Sequence, residues 1–117
     1  MVVEDESHNM FYITETLRAS GYIICAATDG QEAVETARKE SPDLIFMDIQ
    51  IPVLTGDEAT KQIKETEGLK DVPVIALTAR SMKGDREKIL AAGFDDYLGK
   101  PFHPGDLIKK VGEWLGG

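Results

Sequence analysis

Short apolar runs alternate with longer stretches of helical periodicity along the chain. The runs are Met1 to Val3, Tyr22 to Ala26, Leu44 to Met47, Val74 to Leu77 and, more weakly, Tyr97 to Leu98. Between them, apolar residues recur at helical spacing: Met10, Ile13 and Leu17; Ala33, Val34 and Ala37; Ala59 and Ile63; Ile89, Leu90 and Ala92. The clearest stripe comes last, with Leu107, Ile108, Val111, Trp114 and Leu115 at i, i+1, i+4, i+7 and i+8 on one face. Strand and helix thus alternate five times. The strands are nearly continuous in hydrophobics rather than apolar at every second residue, which predicts a parallel sheet covered by helices on both faces. Right-handed crossovers then favour a doubly wound α/β sandwich, whose functional crevice lies at the carboxyl ends of the strands.

Those ends carry the chemically unusual residues. In LIFMDIQIP, residues 44 to 52, Asp48 directly follows four apolar residues, and a carboxylate stripped of water there needs compensation. The first strand runs into Glu4, Asp5 and Glu6, the fourth into Thr78 and Ala79, and the fifth into Gly99, Lys100 and Pro101. Projected onto one rim, these residues form an acidic cluster flanked by a hydroxyl and an ammonium. Carboxylates gathered this way repel one another unless a counter-charge is supplied. Mg2+, or Mn2+ in its place, supplies it, since a hard cation takes oxygen ligands from one or two carboxylates, waters and a substrate phosphate. Glu4, Asp5 and Asp48 fit that need, with a backbone carbonyl near Gln50 as a further ligand. Such a site suits phosphoryl transfer: Asp48 as nucleophile forming an acyl phosphate, Lys100 pairing with a phosphate oxygen, and Thr78 and the Ala79 backbone N–H donating hydrogen bonds.

Composition narrows the class. At 117 residues the chain has the size of one domain, spanning residues 1–117. With 42% hydrophobic and 29% charged residues and no apolar run near the roughly 20 needed to cross a bilayer, it reads as a soluble globular protein rather than a membrane one. The start MVVEDESHN has no secretory character, so a cytoplasmic location is expected. A net charge of −8 with dispersed Lys and Arg argues against direct nucleic-acid contacts and leaves proteins or cations as partners. The lone Cys25 excludes an internal disulfide and is expected to be a small buried hydrophobe. Trp114 is expected in the core, His8 and His103 on the surface, and Gly56, Gly93 and Gly105 at turns or helix ends. Only three residues precede Glu4, which predicts a short first strand.

The segments VVEDE, DLIFMDIQIPVLTGDEA, VPVIALTA and AAGFDDYLGKPF, in this order and spacing, resemble the receiver domain of two-component response regulators. The resemblance covers essentially the whole chain. It implies a flavodoxin-like three-layer sandwich, with a five-stranded parallel sheet of order 2-1-3-4-5 and five helices. It also implies phosphorylation of Asp48 by a histidine kinase or histidine phosphotransfer domain, with Mg2+ or Mn2+ held by Glu4, Asp5, Asp48 and Gln50. Lys100 and Ala79 would bind the phosphate, Thr78 and Tyr97 would be the switch residues, and the Lys100–Pro101 peptide would be cis. The implied role is a switch in a phosphorelay that acts on a downstream protein, not an enzyme beyond its own phosphorylation and dephosphorylation. A homodimer is compatible with it.

Rival readings predict features this sequence lacks. A phosphatase with an aspartyl nucleophile calls for a second carboxyl near Asp48, and Ile49 to Pro52 offers none. A flavin carrier calls for a hydroxyl- and glycine-rich phosphate loop after the first strand, where EDESHN stands. The alternative left standing is a phosphorylation-independent scaffold on the same fold, which would be expected to have lost part of the acidic cluster or Lys100.

Overall fold

The computed structural model describes residues 1–49, 53, 55–78, 85–100 and 102–115, with the side chains of residues 85 and 86 left aside. Its elements run β1 (Val2–Val3), α1 (Ser7–Ala19), β2 (Ala26–Ala27), α2 (Gly30–Glu40), β3 (Ile45–Asp48), α3 (Gly56–Lys64), β4 (Val74–Thr78), α4 (Asp85–Ala91), β5 (Asp96–Gly99) and α5 (Pro104–Leu115). The strands form one sheet in the order β2-β1-β3-β4-β5, and every pairing is parallel. This is the doubly wound arrangement expected from the hydrophobic pattern, in the strand order that the receiver-domain resemblance implies.

Alternation along the strands explains why their sequences are apolar throughout. Val3, Ile45, Met47, Val74 and Ala76 face one side, where they pack with Ala33, Val34 and Ala37 of α2, Ala59 and Ile63 of α3, and Ile89 of α4. Val2, Phe46, Ile75 and Leu77 face the other side, against Ile13 and Leu17 of α1 and Leu107 and Val111 of α5. Both faces are covered, so neither residue parity can be polar.

Local chemistry sets the helix ends. Glu6 caps α1 by accepting from the backbone N–H groups of His8 and Asn9 at 3.1 and 2.7 Å. Asp29 does the same for α2 through Glu32, and Thr55 with Glu58 forms a capping box on α3. Gly21, just past α1, has φ +94, the left-handed region glycine enters freely.

The structure differs from the sequence reading in several places. β2 is confined to Ala26–Ala27, beginning at the last residue of the apolar run from Tyr22, whereas β1, at two residues, is short as expected. Cys25 is half-buried, packed against the edge of the core rather than within it. Trp114 is not a core residue. It is 39% exposed, and Ile108, Leu115 and Leu90 lie outside with it. A helix on a sheet face buries a limited arc, and in α5 the two residues one turn apart, Leu107 and Val111, fill it. Among the described residues no helix is long and apolar enough to cross a membrane.

Candidate functional site

The strand order reverses between β1 and β3, and the crevice there gathers residues from four strand ends. Glu4 and Asp5 leave β1, with the Glu4 backbone N–H held by the Ala27 carbonyl at 3.1 Å. Asp48 is the last residue of β3 and Thr78 the last of β4, and both are buried. Lys100 directly follows β5, and its backbone N–H donates to the Thr78 carbonyl at 2.7 Å. Its side chain turns into the crevice, where Nζ lies 2.8 Å from Asp48 Oδ2 and 3.2 Å from Glu4 Oε1.

Carboxylate oxygens of Glu4, Asp5 and Asp48 all lie within 4.8 Å of one another. Asp5 is exposed, whereas Glu4 and Asp48 are buried, so the cluster is open to water on one side only. Burial pushes the Glu4 carboxyl up to about 7, helped by the hydrogen bond and charge of Asp48, while Asn9 and Lys100 pull against the rise. Burial would lower the Lys100 ammonium, but the hydrogen bonds and charges of Asp48 and Glu4 outweigh it and hold the lysine above its usual value. Glu4 Oε2 is buried and forms no hydrogen bond among the described residues. A hard cation satisfies such an orphaned carboxylate oxygen, and an all-oxygen donor set with one exposed member suits an ion that retains waters. The donors therefore fit a divalent metal.

The crevice is the mouth of a cleft of about 580 Å3. Asn9 of α1, Asp57 of α3 and Lys88 of α4 line it alongside the acidic cluster, and Leu77, Ile89, Ala92 and Phe94 make its apolar floor. The sequence reading gave Asn9, Asp57 and Lys88 no role. Asn9 had a local signal, since it lies one turn past the capping Glu6 on the helix that leaves the acidic loop. Gly56 was read as a helix end and is one, but a β-carbon there would also lie 2.8 Å from Ile49 Cα, so it is a point of close approach as well.

Glu4, Asp5, Asp48, Thr78 and Lys100 thus meet at one rim, as expected. Tyr97 does not line the cleft; it is half-buried against the core on the α2–α4 side. Gln50, Ala79 and Pro101, and with Pro101 the geometry of the Lys100–Pro101 peptide, lie outside the described residues. His8 and His103 are exposed, and Glu6 is exposed as well while serving as a cap.

Comparison with known proteins places this geometry. The family model described as the response regulator receiver domain matches residues 1–112. The polar-differentiation response regulator DivK of Brucella ovis is 43% identical over 116 residues, 99% of this chain and 94% of that protein. The receiver domain of a sensor histidine kinase from Pseudomonas aeruginosa, crystallised with a magnesium ion coordinated in its active-site cleft, superposes with a TM-score of 0.91. Its identity is 42%, over 99% of this chain and 95% of that one. A Saccharomyces cerevisiae co-crystal of a histidine phosphotransfer protein with the receiver domain of its downstream response regulator gives a TM-score of 0.89 and 38% identity, over 97% and 85% of the two chains.

Proposed function

The chain belongs to the response regulator receiver domain family, whose function is to accept a phosphoryl group, and from that membership we propose that Asp48 is the acceptor here. The observation that carries this is the convergence of Glu4, Asp48 and Lys100 at one buried rim, with Nζ of Lys100 2.8 Å from Asp48 Oδ2. Asp48 offers its carboxylate to the phosphorus of a phosphohistidine. The O–P bond forms as the P–N bond breaks, and the imidazole leaves with the electron pair of that bond. Lys100 stays in the rim to pair with a phosphoryl oxygen, and Thr78 donates its hydroxyl to another, with the Ala79 N–H as a further donor. Glu4, Asp5 and Asp48, with the Gln50 carbonyl, would hold Mg2+ or Mn2+, which would neutralise charge on the transferring group.

The protein is a switch, and its chemistry is confined to its own phosphorylation and hydrolytic dephosphorylation. Phosphorylation draws Thr78 and Lys100 toward the phosphoryl group and Tyr97 turns inward, which alters the surface around β5 and α5. Shifting a population from 1:99 to 99:1 takes about 5.5 kcal/mol, within the reach of several charge-assisted contacts. In this reading the protein is cytoplasmic, and its partners are a histidine kinase or histidine phosphotransfer domain upstream and a protein target downstream, with a homodimer compatible. Residues 1–117 act as one receiver domain.

Incubation with acetyl phosphate and Mg2+, followed by intact mass measurement, tests the reading. Wild type gains one phosphoryl mass and Asp48→Asn gains none. Equal labelling of the variant moves the acceptor elsewhere, and no labelling of wild type favours a phosphorylation-independent scaffold.

A further inference from the structure

β5 is one edge strand of the sheet, and among the described residues its strand neighbour is β4 alone. Lys100 adjoins its carboxyl end with its ammonium in the crevice, and Asp96 stands at its other end. The Asp96 carboxylate has three donors. Its Oδ1 accepts from the Tyr97 backbone N–H at 2.8 Å, and its Oδ2 accepts from Lys110 Nζ at 2.8 Å and from the Trp114 indole N–H at 3.0 Å. Lys110 and Trp114 are four residues apart on α5, so one carboxylate grips two successive turns of the helix. Among the described residues no other side chain of β5 is hydrogen-bonded to α5.

Alternation along the strand sets the direction of this contact. Tyr97 packs toward the α2–α4 side, while Leu98 packs against the cluster beneath α1 and α5. Asp96 shares the parity of Leu98 and so meets α5, while holding the N–H of the residue that faces the other way.

We infer that Asp96 is a positioning residue that couples the acceptor rim to the outer turns of α5, acting along the backbone of β5. The inference rests on Asp48 being the acceptor. A phosphoryl group on Asp48 takes over the ammonium that now lies between Asp48 and Glu4, and Lys100 moves with it. β5 is a four-residue extended segment bonded to β4, so a displacement at Lys100 is carried along the strand rather than absorbed within it. Asp96 hands it to Lys110 and Trp114. The exposed patch that responds is formed by Trp114 and Leu115. The Asp96 carboxyl titrates below its usual value because the Lys110 and Trp114 hydrogen bonds, with the Tyr97 N–H, outweigh its burial. The link therefore persists through neutral pH.

Hydrogen exchange of the α5 amides, read with and without acetyl phosphate and Mg2+, tests this, with the extent of labelling followed by intact mass. Wild type is expected to show a phosphorylation-dependent change in α5. Asp96→Ala is expected to lose more than half of that change while taking up the phosphoryl group to the same extent, and Asp96→Asn to restore part of it. A merely structural role would raise exchange equally in both states and leave their difference intact, which would overturn the coupling. If Asp96→Ala folds poorly, Lys110→Met and Trp114→Phe each remove one donor and are expected to reduce the difference singly; an unreduced difference in both overturns the coupling. Labelled wild type with no change in α5 sinks the coupling alone. Absence of labelling sinks the acceptor reading, and the coupling with it.

Discussion

A β-carbon added to Gly56 would lie 2.6 Å from the carbonyl oxygen of Asp48, closer than nonbonded carbon and oxygen approach. The first residue of α3 is thereby pressed against the backbone that carries the proposed acceptor, and the Gly56 N–H donates to the Ile49 carbonyl at 3.0 Å. Gly56→Ala must push backbone aside rather than a flexible side chain. The expected cost is about 1–3 kcal/mol in urea unfolding, together with slower phosphoryl uptake, because the overlap falls on Asp48 and Ile49 themselves. Unchanged stability and uptake would mean that the α3 terminus yields freely.

Glu4 makes stability depend on pH. Its carboxyl stands at about 7 in the folded protein against 4.5 as a free side chain, chiefly through burial and then through Asp48. A raised carboxyl favours the folded state fully below pH 4.5, and that contribution is lost as pH rises through 7. Metal-free protein is therefore expected to lose thermal stability between about pH 4.5 and 7, a fall that Glu4→Gln reduces. Millimolar Mg2+ is expected to offset it, since a bound cation favours the ionised carboxylates. Melting curves across this window, with EDTA and with Mg2+, provide the check.

Thr60 Oγ1 is buried on α3 without a hydrogen-bond partner among the described residues. Removing a hydroxyl that was stripped of water and given nothing in return relieves a desolvation cost. Thr60→Val keeps the shape and is expected to raise the unfolding free energy by on the order of 1 kcal/mol. A loss of stability in denaturant titration would show that the hydroxyl is satisfied in solution.

Val53 lies in the loop between β3 and α3 with φ +71 and is 75% exposed. A β-branched residue is strained there, and with so much of the side chain in water little packing offsets the strain. Val53→Asn is expected to stabilise by about 1 kcal/mol, since asparagine enters the left-handed region more readily. The change in urea midpoint measures it.

Much of this was legible in the sequence, for reasons that lie in individual segments. Ile45 to Met47 and Val74 to Leu77 are apolar without interruption because both sheet faces are covered, so the strands and the parallel sheet could be read directly. Asp48, Thr78 and Lys100 stood out because each breaks or ends such a run. Trp114 misled, because an apolar stripe records helical spacing but not how wide an arc the neighbouring sheet covers. Its indole N–H found Asp96, eighteen residues earlier in the chain, and no local pattern marks that pairing. Asn9, Asp57 and Lys88 were passed over for a similar reason: each is an ordinary polar residue of a helix until the cleft is assembled around it.

Secondary structure, strand ends and residue chemistry were determined by the sequence alone, because hydrophobic spacing and capping act over a few neighbouring residues. Tertiary structure decided which ends meet. Lys100 reaches Asp48 across 52 positions and Glu4 across 96, and only the placement of β1 and β3 beside β4 and β5 brings those charges within hydrogen-bonding distance. Burial is decided at the same level, since it needs the surrounding layers in place. It is burial that gives the Glu4 carboxyl its altered affinity for protons and leaves one of its oxygens open to a cation.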